Sequence, residues 1–389
     1  MKLLFLHRFK DVEGVEREFG GAERQLVDLV CGLQSRGHLV TLVTFYPGGG
    51  MLADAAKAGV RIISLDKTGR WDIPGFLFRL VRILRSERPD IVHGYLGLAN
   101  SLLALTRPVH RAKVVWGIRA SDLDLTRYHW VARVDAWLER RLSRLPDLII
   151  ANSHAGKRHA TDLGYPAAKI TVIPNGIDLD RFRRDETGRD RVRAEWGVRP
   201  EELLVGRIGR IDPQKDQPTF LESAAKVAAT RDDVRFVIVG NDRFGEQDEI
   251  TPLVARLNLG DRLIWAGHRS DMAAVHSAFD LCVSSSAFGE GTPNVLVEAM
   301  ACGTPCVTTD VGDSAQAVGA HGIVVPRRDP AALADGILTA VDQPVDRTAL
   351  RSHVADHFSM ERLIAATEAA LLELRAPTAR ANRAQAVQP

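Results

Sequence analysis

Residues 281–300 read LCVSSSAFGEGTPNVLVEAM. An apolar run of strand type comes first, a mostly small and polar stretch follows, and from Asn294 the chain is apolar again around one acid, Glu298. Strand, loop and helix in that order are the unit from which parallel sheets with crossover helices are built. Thr292 suits the N-cap of the helix and Pro293 its first position, where a missing N–H costs nothing. Glu290 is then on a loop at the carboxyl end of a strand, where doubly wound sheets open their clefts. Glu298 lies about one and a half turns into the helix and points back toward the same cavity. Between them Gly291 and Thr292 leave backbone N–H groups free at a helix N-terminus, which suits phosphate or sugar oxygens. A lone acid on a loop or helix is ordinarily solvated. Here Val295, Leu296, Val297, Ala299, Met300 and Ala301 surround Glu298, and a carboxylate in such a setting needs partners, which ribose hydroxyls would supply.

The same unit recurs along the chain. Strands are expected at 2–7, 40–45, 61–65, 90–93, 113–117, 147–151 and 169–173, and again, after the polar stretch 178–193, at 203–208, 234–239, 263–265, 281–284, 305–309 and 322–325. Gly20-Gly21-Ala22-Glu23-Arg24 opens the first long helix, which stops near Gly37. The pattern predicts an α/β protein of two doubly wound, Rossmann-like parallel-sheet domains facing across a cleft. The first covers 1–177 and the second 178–358. A last helix at 359–375 packs back toward the first domain, and 376–389 is a tail without apolar periodicity. A chain of 389 residues is long enough for two such cores, and 45% hydrophobic with 26% charged residues is a soluble globular composition. The opening MKLLFLHRFK is too short to span a bilayer and lacks a small-residue cleavage site after it, so it reads as a strand. Cys31, Cys282, Cys302 and Cys306 show no metal-ligand pairing and read as buried free thiols in a reducing cytoplasm.

A second chemical feature is Arg207-Ile208-Gly209-Arg210-Ile211-Asp212-Pro213-Gln214-Lys215, a strand running into a loop. Arg210 and Lys215 project from that loop, and Gly209 lets a phosphate come close. Two fixed cations take up negative charge developing on a departing phosphate, a task otherwise given to a metal. The doublets Asp122/Asp124 and Asp178/Asp180 have metal-like spacing that arises readily by chance, so neither metal nor cofactor is expected. Neither half carries G-x-G-x-x-G after a strand, which argues against a nicotinamide-dependent oxidoreductase.

With these residues in place, the sequence resembles the family-4 glycosyltransferases of the GT-B fold, especially those of bacterial O-antigen and capsule assembly. The resemblance runs from Gly20-Gly21-Ala22-Glu23-Arg24 through Ala151-Asn152-Ser153 and Pro174-Asn175-Gly176-Ile177-Asp178 to Gly303-Thr304-Pro305, and the spacing of Glu290 and Glu298 matches the family's E-x7-E signature. It implies a retaining, metal-independent enzyme that moves a hexose-type sugar from a UDP-, GDP- or ADP-linked donor to a saccharide or lipid-linked saccharide. Glu298 would hold the ribose, Glu290 the donor-sugar hydroxyls, and Arg210 and Lys215 the diphosphate. Gly21 would let the first domain approach the same phosphates. Val239-Gly240-Asn241 and Ala266-Gly267-His268 resemble the base-binding loops. The implied mechanism is front-face, with the leaving phosphate taking the acceptor's proton. On the acceptor side two choices stand open: His93, placed after a strand at 90–92, or Arg119 with Asp122. Gln316 stands where relatives often carry Glu. A sugar-nucleotide epimerase of the same fold and a non-catalytic sugar-nucleotide-binding subunit are the other readings; the second is disfavoured by the presence of Arg210, Lys215, Glu290 and Glu298 together.

Charge is uneven although the net value is only +2: the first 180 residues hold 26 Lys and Arg against 19 Asp and Glu. Arg79, Arg82 and Arg85 lie opposite Phe76, Leu80, Ile83 and Leu84, and Arg133, Arg140, Arg141 and Arg144 accompany Trp130 and Trp137. Solvated helix faces are the simpler account; the alternative is docking to an anionic membrane surface, which would place a cytoplasmic enzyme on the inner leaflet. No aromatic-basic motif for nucleic acid accompanies the charge.

Overall fold

Short apolar runs of β-branched and aliphatic residues, buried on both faces, are what a parallel sheet requires, and among the described residues thirteen of them form strands. The computed structural model describes residues 1–9, 21–47, 50–69, 72–119, 130–242 and 246–376. The first sheet contains β1 (Lys2–His7), β2 (Leu39–Thr44), β3 (Arg61–Ser64), β4 (Ile91–Tyr95), β5 (Lys113–Ile118), β6 (Leu148–Ala151) and β7 (Ile170–Val172). The second contains β8 (Leu203–Ile208), β9 (Val234–Val239), β10 (Leu263–Gly267), β11 (Leu281–Ser284), β12 (Cys306–Thr309) and β13 (Gly322–Val325). The ends lie within two residues of those expected from the pattern.

Among the described residues every strand pairing within the sheets is parallel, in the orders β3-β2-β1-β4-β5-β6-β7 and β10-β9-β8-β11-β12-β13. Each order reverses once, between β1 and β4 and between β8 and β11, and loops leaving such a reversal diverge to leave a crevice. Apolar clusters cover both faces of both sheets. Leu26, Val30 and Leu42 lie on one side of the first sheet, and Leu4, Trp116 and Leu80 on the other. Val237, Phe279 and Met300 face Phe220, Val283 and Ile337 across the second.

The chain crosses between the sheets twice at one place. Ile177 N donates to Phe358 O (2.7 Å) and Met360 N to Ile177 O (3.0 Å). A Cβ on Gly176 would come within 2.7 Å of the Met360 Cα, so the two crossings pack backbone to backbone. The last helix, Met360–Arg375, then lies on the first, Gly21–Ser35: Ile364 fills the space that Gly32 leaves open, and Glu368 accepts from Arg36 (2.7 Å) and pairs with His38 (2.7 Å).

A second seam joins the sheets directly. Helix His154–Asp162 follows β6 with its first N–H groups unpaired, as at any helix start. Ser153 caps Gly156 N, and Asp313, after β12, accepts from His154 N (2.6 Å) and Ala155 N (2.8 Å). An acid at the positive end of a helix dipole is favourable, and a buried one more so. Gln316, with its amide nitrogen toward Asp313, donates to both carboxylate oxygens. Asp313→Ala should leave two part-buried donors without this acceptor, at about 1–3 kcal/mol in all. Hydrogen exchange should show the His154 and Ala155 amides losing protection while β1 and β8 keep theirs; unchanged exchange at those amides would rule out this seam.

Candidate functional site

The strand ends next to the second reversal are built from glycine because they touch. Gly209 and Gly240 have φ of 147° and 143°, and a Cβ on Gly240 would lie 2.1 Å from the Gly209 carbonyl oxygen. Gly240 N donates to Gly267 O (2.8 Å) and Ile211 N to Asn241 O (3.0 Å), so the loops after β8, β9 and β10 form one floor.

Above this floor, between the two sheets, is a cavity of about 500 Å³. Gly21, Arg24, Gln25 and Asp28 of the first helix line one side, and Gly209, Arg210, Gly240, Asn241, His268 and Glu298 the other. Seven residues singled out in the sequence therefore meet at one void: Gly21, Gly209, Arg210, Gly240, Asn241, His268 and Glu298. The domains approach closely here, since a Cβ on Gly21 would sit 2.8 Å from the Asn294 side-chain nitrogen. Burial pushes the Asp28 carboxyl up to about 6 against the pull of Arg24 and Arg181.

Glu290, Lys215, Gly291 and Thr292 do not line that cavity; they form the wall beside it. Lys215 Nζ donates to Glu290 Oε1 (2.5 Å), joining the loops after β8 and β11 across the reversal, and Ser286 Oγ donates to the same oxygen (2.6 Å). Burial raises the Glu290 carboxyl, but Lys215, then Ser286 and Arg210, outweigh it and hold the group below its ordinary range. Arg210 is itself paired, with its Nε 2.9 Å from Asp212 Oδ2. Each of the two fixed cations expected from the sequence thus carries an acid, and of the two acids expected at one ligand only Glu298 lines the void.

Three further placements differ from expectation. Thr292 does not cap the helix Asn294–Ala301; Pro293 holds that position and the Thr292 hydroxyl donates across the seam to Asn152 O. Gly291 meets the same Asn152, whose side chain would be 2.6 Å from a Cβ there. His93 is not on a loop but in the middle of β4, tilted against Phe5 and Tyr95, with both ring nitrogens buried and unpartnered. Burial, and after it the Arg119 charge, push its pKa to about 3, so the ring is neutral and enclosed. Arg119 lies over the Tyr95 ring (4.2 Å) and donates to Asn175 Oδ1 (3.5 Å). Asp122 lies outside the described residues. The thiols are free as expected, but Cys31 is only half-buried.

Sequence reasoning missed the asparagines that stitch the seam. Asn175 Nδ2 donates to Asn294 Oδ1 (2.8 Å), and Asn152 meets Gly291 and Thr292. Asn152 and Asn175 lie in segments quoted for the resemblance and Asn294 in the stretch 281–300; for Asn175 and Asn294 a polar residue directly beside a proline was the available signal, and Asn152 carried none.

Two family models match: "Glycosyltransferase Family 4" over residues 19–181 and "Glycosyl transferases group 1" over residues 202–343. A D-inositol 3-phosphate glycosyltransferase of Geodermatophilus obscurus is 30% identical over 323 residues, covering 77% of this chain and 71% of that protein. The chain belongs to the family-4 glycosyltransferases. It is a sugar-transferring enzyme of the GT-B fold. The Escherichia coli UDP-Gal:alpha-D-GlcNAc-diphosphoundecaprenol alpha-1,3-galactosyltransferase is 29% identical, over 60% of this chain and 61% of that one, under two thirds of its length. Anabaena Alr3699/HepE, solved in complex with UDP and glucose, superposes with a TM-score of 0.79 at 23% identity over 95% of this chain and 99% of that one.

The Lys215–Glu290 pair gives a signed test within this glycosyltransferase. Because Glu290 titrates below its unfolded value, its stabilisation is present above the ordinary glutamate range and lost as pH falls through the folded pKa. Lys215→Met leaves burial dominant and raises Glu290, so the variant should lose stability as pH rises toward neutrality, by about 3 kcal/mol at pH 7. Urea unfolding from mildly acidic to neutral pH would show it; parallel stability curves for the two proteins would contradict the assignment.

Proposed function

We propose that this enzyme transfers a hexose from a UDP-hexose to a saccharide or lipid-linked saccharide, with retention of configuration and without a metal. The observation that carries the reading is the single void lined at once by Gly21 of the first domain and by Gly209, Arg210, Gly240, Asn241, His268 and Glu298 of the second. A nucleoside diphosphate suits it: Glu298 accepts from ribose hydroxyls, the glycine floor admits the base and phosphates, and Arg210 meets the diphosphate. The UDP, UDP-glucose and glucose named with the Anabaena structures, and the UDP-Gal and diphosphoundecaprenol named for the Escherichia coli relative, support this donor class and a polyprenyl-linked acceptor.

Glu290 supports a front-face route. A carboxylate whose Oε1 already accepts from Lys215 and Ser286, and whose pKa is depressed, is a poor proton acceptor. Such a group orients sugar hydroxyls, and the departing phosphate oxygen is left to take the acceptor's proton. Arg210 and Lys215 stabilise the charge on that phosphate in the place of a metal.

Turnover of UDP-, GDP- and ADP-hexoses with and without EDTA tests this directly. UDP-hexose should be consumed with EDTA present, and the product should keep the donor's anomeric configuration. Loss of turnover in EDTA, or an inverted product, would refute the corresponding claim. Glu298→Ala should raise the donor KM by about tenfold or more, the loss of ribose hydrogen bonds, while Glu290→Ala mainly lowers kcat.

We further infer that the first domain docks on an anionic membrane. Phe78 (68% exposed) projects from helix Ile73–Glu87 beside exposed Arg82 and Arg85, and Trp137 (57%) and Val134 from helix Trp130–Leu142 beside Arg133, Arg140 and Arg141. Aromatic side chains among arginines suit an interface with anionic lipid. Among the described residues no helix is long and apolar enough to cross a membrane. Flotation with phosphatidylglycerol vesicles should recover the wild type and lose Trp137→Ser/Arg140→Ser at raised salt; no flotation of the wild type would end the idea.

A further inference from the structure

Glu298 is a carboxylate at the edge of the cavity, and a ligand can use it only if the side chain is held toward the void. Its own helix does not do this: Asn294–Ala301 is short, and Leu296, Val297, Ala299, Met300 and Ala301 on it are buried in the core. What holds Glu298 lies behind it. His276, on helix Met272–Ala278, places Nε2 3.4 Å from Glu298 Oε2. Among the described residues it is the only side chain in hydrogen-bond contact with that carboxylate. Oε2 is thereby occupied, and Oε1 is left for a ligand.

The imidazole is rigid. His276 is 0% exposed, its ring stands edge-on to Phe182 (6.2 Å) and Phe279 (6.3 Å), and its carbonyl accepts from Thr304 Oγ1 (2.7 Å). A ring wedged between aromatic neighbours has few rotamers to lose, so the bond it makes costs little entropy. Burial by itself favours the neutral ring; the Cys282 thiol and Glu298 outweigh it and push the pKa up to about 9. With its proton on Nε2, the ring donates to Glu298 Oε2 and holds that oxygen in place.

We propose that His276 is the positioning residue for Glu298, fixing the carboxylate in the orientation that receives the nucleotide ribose. The inference rests on the reading of Glu298 as the ribose ligand. It extends that reading to a residue that never touches the ligand, much as an outer-shell partner orients a metal-binding side chain.

UDP and 2′,3′-dideoxy-UDP are the probes, titrated calorimetrically against wild type, His276→Gln, His276→Asn and Glu298→Ala. The Gln amide reaches the place of Nε2, whereas the shorter Asn amide does not. For UDP, His276→Asn should weaken binding about five- to tenfold, the loss of one hydrogen bond's orienting effect. His276→Gln should restore most of it. Neither should change affinity for the dideoxy nucleotide, which offers no hydroxyls, and kcat at saturating donor should be unaltered. Far-UV circular dichroism and a shared melting temperature identify folded variants. The proposal is overturned if Gln and Asn behave alike, or if both nucleotides lose affinity equally. Should Glu298→Ala fail to abolish the preference for UDP over its dideoxy analogue, the ribose role itself falls, whatever the His276 variants do.

Discussion

One ion pair sets the shape of the second domain's working edge. Lys215 and Glu290 close across the point where strand order reverses, between the loops that follow β8 and β11. Ala287 N donating to Gln214 O (2.9 Å) and Ser285 Oγ donating to Lys215 O (2.9 Å) join the same two loops, and the ion pair closes the contact they begin. The pair is largely buried, so its partners see little screening, and removing either leaves a charge in a poor solvent. Other constraints follow from it. Gly312 must be glycine because a Cβ would lie 2.3 Å from the Glu290 carbonyl oxygen. Gly291 must be small because the same loop presses on Asn152 of the first domain. The pair thus fixes the wall beside the cavity and the surface against which the other domain packs.

The seam between the domains is polar where it borders the cavity and apolar where the chain crosses. Asp313 accepts two hydrogen bonds at the start of helix His154–Asp162, and Thr292 on Asn152 and Asn294 on Asn175 make one each, all individually modest. At the crossings, Ile177 and Phe358 are buried and Leu363, Ile364 and Leu371 join the core of the first domain. Such a mixture of polar and apolar contacts is what interfaces between domains of one chain ordinarily show.

The strands were legible because parallel sheets bury both faces, and thirteen runs of Val, Ile and Leu bounded by turn residues leave few other assignments. The residues of the cavity were legible for a related reason. Gly209, Gly240 and Glu298 are odd choices for their local surroundings, and such conflicts mark sites. What could not be read was pairing. Sequence spacing says that Lys215 and Glu290 leave neighbouring strand ends, but not that they meet each other before they meet a ligand. His93 failed for a similar reason: the strand containing it runs two residues further than its apolar pattern, because Gly94 and Tyr95 pair with β5, and this draws the ring into the core. His276 carried no signal at all, since a histidine in a helix of small residues gains meaning only from the carboxylate opposite it.

The paired state of the cations bears on how the proposed reaction would gain speed. If Arg210 and Lys215 faced the cavity bare, they would bind a ground-state diphosphate tightly, and tight ground-state binding does not accelerate chemistry. Held by Asp212 and Glu290, each already spends part of its field on an acid. In the proposed reaction an incoming diphosphate would compete with those carboxylates for the same donors and gain only the difference. As the glycosidic bond breaks, charge accumulates on the departing phosphate while the two carboxylates keep theirs, so the balance moves toward the phosphate. The stabilisation then grows along the reaction instead of being present from the start. On this view the acids beside the cations matter because they hold back part of the electrostatic interaction until the leaving group needs it.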